Sequence, residues 1–261
     1  MQSITLYTFY NMMQAMIFAA GLGTRLKPLT DTMPKALVSV GGEPLIRRVL
    51  QRLADAGVGR VVVNVHHFAS QITQYLSENN NFGLDIAISD ETEGLLETGG
   101  GIKHVARLFD AGSPVLIHNV DILSNVNLRK FYNIAAESEV AAIPVDAVLL
   151  VSWRKTKRYL LFNDDMRLVG WTNIETGEVK SPYPELDPRK CRMYAFAGIH
   201  VISPRMFPLM DAFPEKFSII DFYLKTCATH NIKGYVKDDL KLMDIGKLDT
   251  LAQAETFLSE L

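Results

Sequence analysis

Residues 19–35, AAGLGTRLKPLTDTMPK, bring two glycines, an arginine, two prolines and two lysines together where helical or strand periodicity stops. Glycines let backbone N–H groups close on a phosphate, and Arg25 and Lys35 supply positive charge from the two ends of one loop. The combination describes an anion cradle. It is not the dinucleotide fingerprint, because Leu26 stands where G-x-G-x-x-G would place a third glycine after Gly21 and Gly23. A Walker A loop, G-x-x-x-x-G-K-[ST], is also absent.

The rest of the chain limits what such a loop can serve. With 261 residues, 48% of them hydrophobic, it can bury a sizeable core as one large domain or two small ones. A net charge of −2 carries no polycationic footprint, which argues against extended nucleic-acid binding and leaves room for a local phosphate pocket. Cys191 and Cys227 are far apart and form no CxxC, which argues against a disulfide framework or a cysteine zinc site and for a reducing compartment. No apolar run reaches membrane-spanning length, and residues 1–14 lack the basic start and apolar stretch of a signal peptide. The expectation is a cytoplasmic protein with no membrane partner, in which residues 1–12 form a leader, a candidate for disorder, ahead of one domain over 13–261.

The elements that must hold the loop follow from periodicity. Short Val- and Ile-rich runs predict strands over 15–18, 60–65, 85–89, 115–119 and 140–145, alternating with helices over 44–56, 69–76 and 128–136. Such alternation is that of an α/β fold with parallel strands and crossover helices. From about 146 to 192 the pattern changes to alternating or β-branched segments, 158–162 and 168–172, and the proline-rich SPYPELDP, which predicts a small antiparallel insertion over the sheet. A further strand over 194–202 and helices over 204–213, 219–228 and 248–258 complete the chain.

With its flanking residues, the loop resembles the sugar-1-phosphate nucleotidyltransferases, whose signature is G-x-G-[ST]-R-[LM]-x-P-[LM]-T-x-x-x-P-K. Gly21, Gly23, Thr24, Arg25, Leu26, Pro28, Leu29, Thr30, Pro34 and Lys35 occupy every specified position. Three segments follow in the family's order: LETGGGI over 96–102 resembles its base-recognition segment, HNVDIL over 118–123 places Asp121 at the first metal aspartate, and LMDIG over 242–246 places Asp244 at the second. The resemblance implies a three-layer, Rossmann-like, mixed and mainly parallel sheet. It also implies transfer of a nucleoside monophosphate from a nucleoside triphosphate to a sugar 1-phosphate, with release of pyrophosphate.

What it implies for residues has a chemical reason. Both substrates are anions, so the task is charge neutralisation and in-line positioning. Asp121 and Asp244 would hold Mg²⁺, which favours one or two carboxylates plus substrate oxygens. Arg25 and Lys35 are the catalytic expectation, one a forked grip on pyrophosphate and the other a movable point charge. Ala19, Ala20, Gly21, Gly23, Thr24, Gly99 and Gly100 are expected at the nucleotide, and Gly198 at the sugar.

Plainer readings stand beside these. Asp121 could be a strand-end turn residue, Asp244 part of a short turn, and Gly99 to Gly101 a helix-entry turn. Glu97 could accept a base N–H or simply sit at a helix start. His66 and His67, adjacent on an extended run, predict one buried and one exposed ring rather than a metal or acid–base pair. Met12, Met13 and Met16 read as core or leader residues, and Trp153 and Trp171 as lid residues. Within the family, YAFAGIHVISP and the spacing around LETGGGI are most similar to the N-acetylmuramate 1-phosphate uridylyltransferases of cell-wall recycling, then to short mannose-1-phosphate guanylyltransferases. Val120 replaces a common glycine, and TNIETGEVKSP stands where an E-K-P sugar-binding triplet is usual. A phosphocholine-type cytidylyltransferase, with Trp153, Tyr159 and Trp171 as an aromatic cage, and a non-catalytic nucleotide-sugar sensor are the alternatives of other classes. Nothing in the periodicity fixes an oligomeric state.

Overall fold

The computed structural model describes residues 12–138 and 142–261. The first strand, β1 (Met13–Phe18), is buried along almost its whole length, as a strand covered on both faces must be. A two-residue hairpin, β2 (Ser39–Val40) and β3 (Glu43–Pro44), turns on Gly41 and Gly42, both at positive φ. Pro44 then precedes α1 (Leu45–Asp55), whose apolar positions Leu45, Val49, Leu50 and Leu53 are buried. Gly57, at φ 84°, ends that helix and leads into β4 (Val58–Val65). There follow α2 (Ala69–Glu78), β5 (Asp85–Asp90), α3 (Glu97–Val105), β6 (Val115–Asn119), β7 (Ile122–Ser124) and α4 (Leu128–Ser138). The second half contributes β8 (Ala147–Ser152), β9 (Arg158–Phe162), β10 (Leu168–Asn173), β11 (Glu178–Lys180), β12 (Arg192–Ile202), α5 (Ile219–Thr226), β13 (Ile232–Val236), β14 (Leu242–Asp244) and α6 (Leu248–Ser259).

The central sheet runs β5-β4-β1-β6-β12-β8-β13. All its pairings are parallel except those of β12, which is antiparallel to both β6 and β8. The amino-terminal end of β12 leaves this sheet to pair with β9, and β9, β10 and β11 form the antiparallel extension. Alternation along β1 sends Ile17 into one apolar layer, with α1, α2, α4 and α6, and Met16 into the other, with α3 and α5. The result is the three-layer, mixed and mainly parallel α/β architecture expected from the sequence. Full burial of a side chain such as Met16 or Ile17 contributes roughly 1.5–3 kcal/mol.

Two expectations differ from the structure. The strand expected over 140–145 is not found: residues 139–141 lie outside the described residues, 142–146 are irregular, and the strand is Ala147–Ser152. It belongs to the central sheet, so the antiparallel set occupies only the 158–180 part of the segment expected as an insertion. The helix expected over 204–213 is a 3₁₀ run, Pro204–Ala212, because Pro208 inside it has no N–H for an α-helical ladder. The leader expected over 1–12 lies, apart from Met12, outside the described residues. Among the described residues no helix is long and apolar enough to cross a membrane.

Candidate active site

The phosphate-loop candidate leaves the carboxyl end of β1, the edge at which parallel α/β sheets place their ligands. Asn64, near the end of the adjacent β4, fixes its first turn. The side-chain Oδ1 of Asn64 accepts from the N–H groups of Ala19 at 2.7 Å and Ala20 at 3.1 Å. Its Nδ2 donates to Glu91 Oε1 at 2.8 Å, and Glu91 Oε2 accepts from Leu96 N at 3.1 Å. A buried amide and a buried carboxylate thereby tie the loop after β1 to the loop before α3. Further along, Gly23 is left-handed at φ 62°, where its carbonyl accepts from Thr30 Oγ1 at 2.9 Å; a Cβ there would lie 2.8 Å from Thr30 Cγ2. The N–H groups of Gly21, Leu22 and Gly23 have no partner among the described residues and remain available to an anion.

Lys35 is buried and its ammonium pairs with Asp121 Oδ2. Asp121 sits in the turn between β6 and β7, held where Val120 N donates to Phe18 O at 3.1 Å and Ile245 N donates to Asp121 O at 2.9 Å. Strand β14 pairs with β7 in the register Asp244↔Ile122, which brings the second aspartate beside the first although they are remote in sequence. Burial, and after it the neighbouring Asp121 charge, raises the Asp244 pKa; Lys35, Arg154 and Arg25 oppose the shift. The Asp244 Oδ1 atom is buried without a hydrogen-bond partner among the described residues. A Cβ on Gly246 would lie 2.9 Å from both Arg25 Nη2 and Asp244 Oδ1, so the Arg25 guanidinium flanks that carboxylate.

The four charged residues singled out in the sequence, Arg25, Lys35, Asp121 and Asp244, therefore surround one place. Two adjacent carboxylates, one with an unpartnered buried oxygen, are a donor set suited to a hard divalent cation. Among the described residues no third His, Cys, Asp or Glu joins them, which suits an ion completed by substrate oxygens.

Beside this centre a cavity of about 260 Å³ is lined by Ala19, Ala20, Gly21, Lys35, Asn64, Glu91, Glu97, Thr98 and Asp121. Gly99 and Gly100 line none of it. Their N–H groups donate to Phe217 O at 2.9 and 3.2 Å, and a Cβ on Gly100 would lie 2.0 Å from Glu215 O. These glycines let α3 approach the segment before α5, while Glu97, at φ 62°, and Thr98 face the cavity. Thr24 is an exposed residue of the loop. Gly198, at φ 74°, forms a bulge in β12, where a Cβ would lie 2.8 Å from Asn119 Nδ2 and 3.2 Å from Ile122 Cγ1, on either side of Asp121 in sequence.

Sequence reasoning missed Asn64 and Glu91, since a lone polar residue on a strand or just beyond one has no motif around it. The histidine pair follows the end of β4 rather than lying on it, and neither ring is buried as one was expected to be: His66 is half-buried with Nδ1 on Glu91 O at 2.6 Å, and His67 is exposed. Met13 and Met16 are core residues and Met12 is exposed. No aromatic cage forms from Trp153, Tyr159 and Trp171. Trp171 pairs across the ladder with Leu160 and Tyr159 with Thr172, so the two rings lie on opposite faces of the sheet, and Trp153 packs against Tyr194 in a tilted pair with ring centroids 4.4 Å apart.

Comparison with known proteins identifies the family. The nucleotidyl transferase family profile matches residues 14–260. N-acetylmuramate alpha-1-phosphate uridylyltransferase of Caulobacter vibrioides is 34% identical over 94% of this chain and 97% of its own. Mannose-1-phosphate guanyltransferase of Kluyveromyces lactis is 26% identical over 95% of this chain and 66% of its own. In fold, HddC from Yersinia pseudotuberculosis, solved in complex with GMP-PN, superposes with a TM-score of 0.71 at 23% identity, covering 95% of this chain and 100% of the other. The chain belongs to the nucleotidyl transferase family and is an enzyme of the sugar-1-phosphate nucleotidyltransferase type.

Proposed function

We propose that the protein transfers the uridylyl group of UTP to N-acetylmuramate 1-phosphate, giving UDP-N-acetylmuramate and pyrophosphate, with Mg²⁺ held by Asp121 and Asp244. The observation that carries the choice of substrates is the near full-length similarity to the Caulobacter uridylyltransferase. In the reaction an oxygen of the sugar phosphate forms a bond to the α-phosphorus of UTP, the bond from that phosphorus to the bridging oxygen breaks, and pyrophosphate leaves with the electron pair. No covalent nucleophile or proton transfer is needed.

The work of the chain is therefore electrostatic. The N–H groups of Gly21, Leu22 and Gly23 and the guanidinium of Arg25 bind the β- and γ-phosphates and take up the charge that develops on the leaving group. Lys35, paired with Asp121, holds that carboxylate in place and presents its ammonium to the α-phosphate. When bound, Mg²⁺ supplies Lewis-acid neutralisation of the reacting phosphate oxygens. Glu97 and Thr98 are placed to read the base, with Gly99 and Gly100 shaping that wall through their contact with Phe217. Gly198 keeps β12 close behind the strand end that carries Asp121, on the acceptor side.

A matrix of four nucleoside triphosphates against several sugar 1-phosphates, read by pyrophosphate release with and without EDTA, tests the proposal. Preference for UTP with N-acetylmuramate 1-phosphate supports it. Preference for GTP with mannose 1-phosphate would favour the second reading, which rests on the similarity to the Kluyveromyces guanyltransferase.

A further inference from the structure

A second cavity, about 500 Å³, lies between the β9–β10–β11 sheet, β12 and the start of α5. Its charged lining is Arg154, Arg158, Lys180, Glu178 and Asp221. Lys180 lies between the two carboxylates, 3.8 Å from Glu178 and 3.5 Å from Asp221, and 5.3 Å from the centre of the Trp171 ring, and the three cations outnumber the two carboxylates. Arg154 and Arg158 are left without a carboxylate partner among the described residues. The Nη2 of Arg154 donates only to the carbonyl of Phe196, at 3.0 Å. Two uncommitted guanidinium groups in one concave site attract an anion, and a fork of N–H donors matches a carboxylate in particular.

The cavity adjoins β12, the strand whose Gly198 packs against Asn119 and Ile122 beside Asp121. Phe196, which lines it, stands two residues before that glycine. A sugar 1-phosphate with its phosphate at Asp121 and Asp244 would extend along β12 toward Arg154, with the Trp171 ring as an apolar wall.

We propose that Arg154 and Arg158 form a carboxylate subsite in this cavity that selects acceptors bearing an acidic substituent on the sugar ring. The inference rests on the acceptor reading above, because N-acetylmuramate differs from N-acetylglucosamine by an ether-linked lactate whose carboxylate has no counterpart in neutral hexoses.

The test is the ratio of kcat/KM for N-acetylmuramate 1-phosphate over N-acetylglucosamine 1-phosphate, with UTP and Mg²⁺, in the full-length enzyme and in R154Q, R158Q and the double variant. A ratio taken on one preparation does not depend on the fraction folded, and both side chains are exposed. The double variant is expected to lose roughly 10- to 100-fold in this ratio, the scale of a charge-assisted hydrogen-bonded pair, mainly through KM of the acidic acceptor. Glucuronate 1-phosphate against glucose 1-phosphate is the second pair. If the wild type ignores N-acetylmuramate 1-phosphate yet prefers glucuronate through these arginines, the named acceptor falls and the subsite stands. If N-acetylmuramate 1-phosphate is the preferred substrate and the ratio is unchanged, or both acceptors lose equally, the subsite falls and the function stands. Preference for neutral acceptors in both pairs overturns both.

Discussion

Replacing Asn64 tests how the nucleotide loop is held. The residue is 2% exposed and makes three hydrogen bonds, accepting from Ala19 N and Ala20 N and donating to Glu91 Oε1. Asn64→Leu keeps the volume close and removes all three. Each buried N–H left without an acceptor costs about 1–3 kcal/mol, and a lost hydrogen bond to a charged group about 1.5–3 kcal/mol. Partial relaxation lowers the total, so the expected loss is about 3–5 kcal/mol, a large part of the 5–15 kcal/mol typical of a folded domain. Urea unfolding followed by circular dichroism reads this loss, and initial rates read a KM for UTP that rises more than the KM for the acceptor. Asn64→Asp separates the roles: it keeps the acceptor and puts a second carboxylate against Glu91. One of those groups would have its folded pKa raised above its unfolded value, so the penalty is present at neutral pH and shrinks as pH falls. A loss below about 1 kcal/mol for Asn64→Leu with an unchanged KM for UTP would refute the reasoning.

Other outcomes follow from single contacts. Gly100→Ala would place a Cβ 2.0 Å from the backbone oxygen of Glu215, which cannot rotate away; a loss of about 1–3 kcal/mol in urea unfolding is expected. His118 and His200 are buried with pKa values lowered to about 3, by burial foremost, from an ordinary 6.5. The unfolded chain binds those protons first, so stability is retained above pH 6.5 and falls below it by up to about 1.4 kcal/mol per pH unit for each histidine. Urea midpoints that stay flat from pH 6.5 to 5 would contradict this. Asp244, raised by burial and Asp121, works in the opposite sense: its charged form opposes folding of the metal-free chain at neutral pH. Mg²⁺ is therefore expected to raise Tm at pH 7.5, with an increment that fades on acidification as protons compete for the carboxylates. Asp244→Asn should raise the metal-free Tm and remove the increment, both read by scanning calorimetry.

What could be read from the sequence was what spacing encodes. The glycine and proline spacing of residues 19–35 marked a loop outside helix and strand, whose Arg25 and Lys35 the structure brings beside Asp244 and Asp121, and β6 and β9 coincide with their expected boundaries because apolar runs there are bounded by polar or turn residues. Strand β8 was displaced because AVLLVS, buried along its whole length, has no alternation to mark it, and the proline-rich segment beyond drew the whole region into the insertion. Strand β13 was missed because glycine and lysine interrupt a short run that pairing with β8 nonetheless completes. The convergence of Asp121 and Asp244 needed the family pattern, since only the β7–β14 pairing makes it geometric. Gly99 and Gly100 stood in a base-recognition slot, yet their N–H groups serve the Phe217 carbonyl, a long-range contact that local spacing does not encode.

The central claim is that Asp121, Asp244, Arg25 and Lys35 form one metal-assisted phosphoryl-transfer centre. Pyrophosphate release from UTP and N-acetylmuramate 1-phosphate, measured in the wild type with and without EDTA and in Asp121→Asn, tests it most directly. The account predicts turnover abolished by EDTA and lowered at least about 10²- to 10³-fold in the variant, with its circular dichroism unchanged. Turnover that survives both EDTA and the substitution would contradict it.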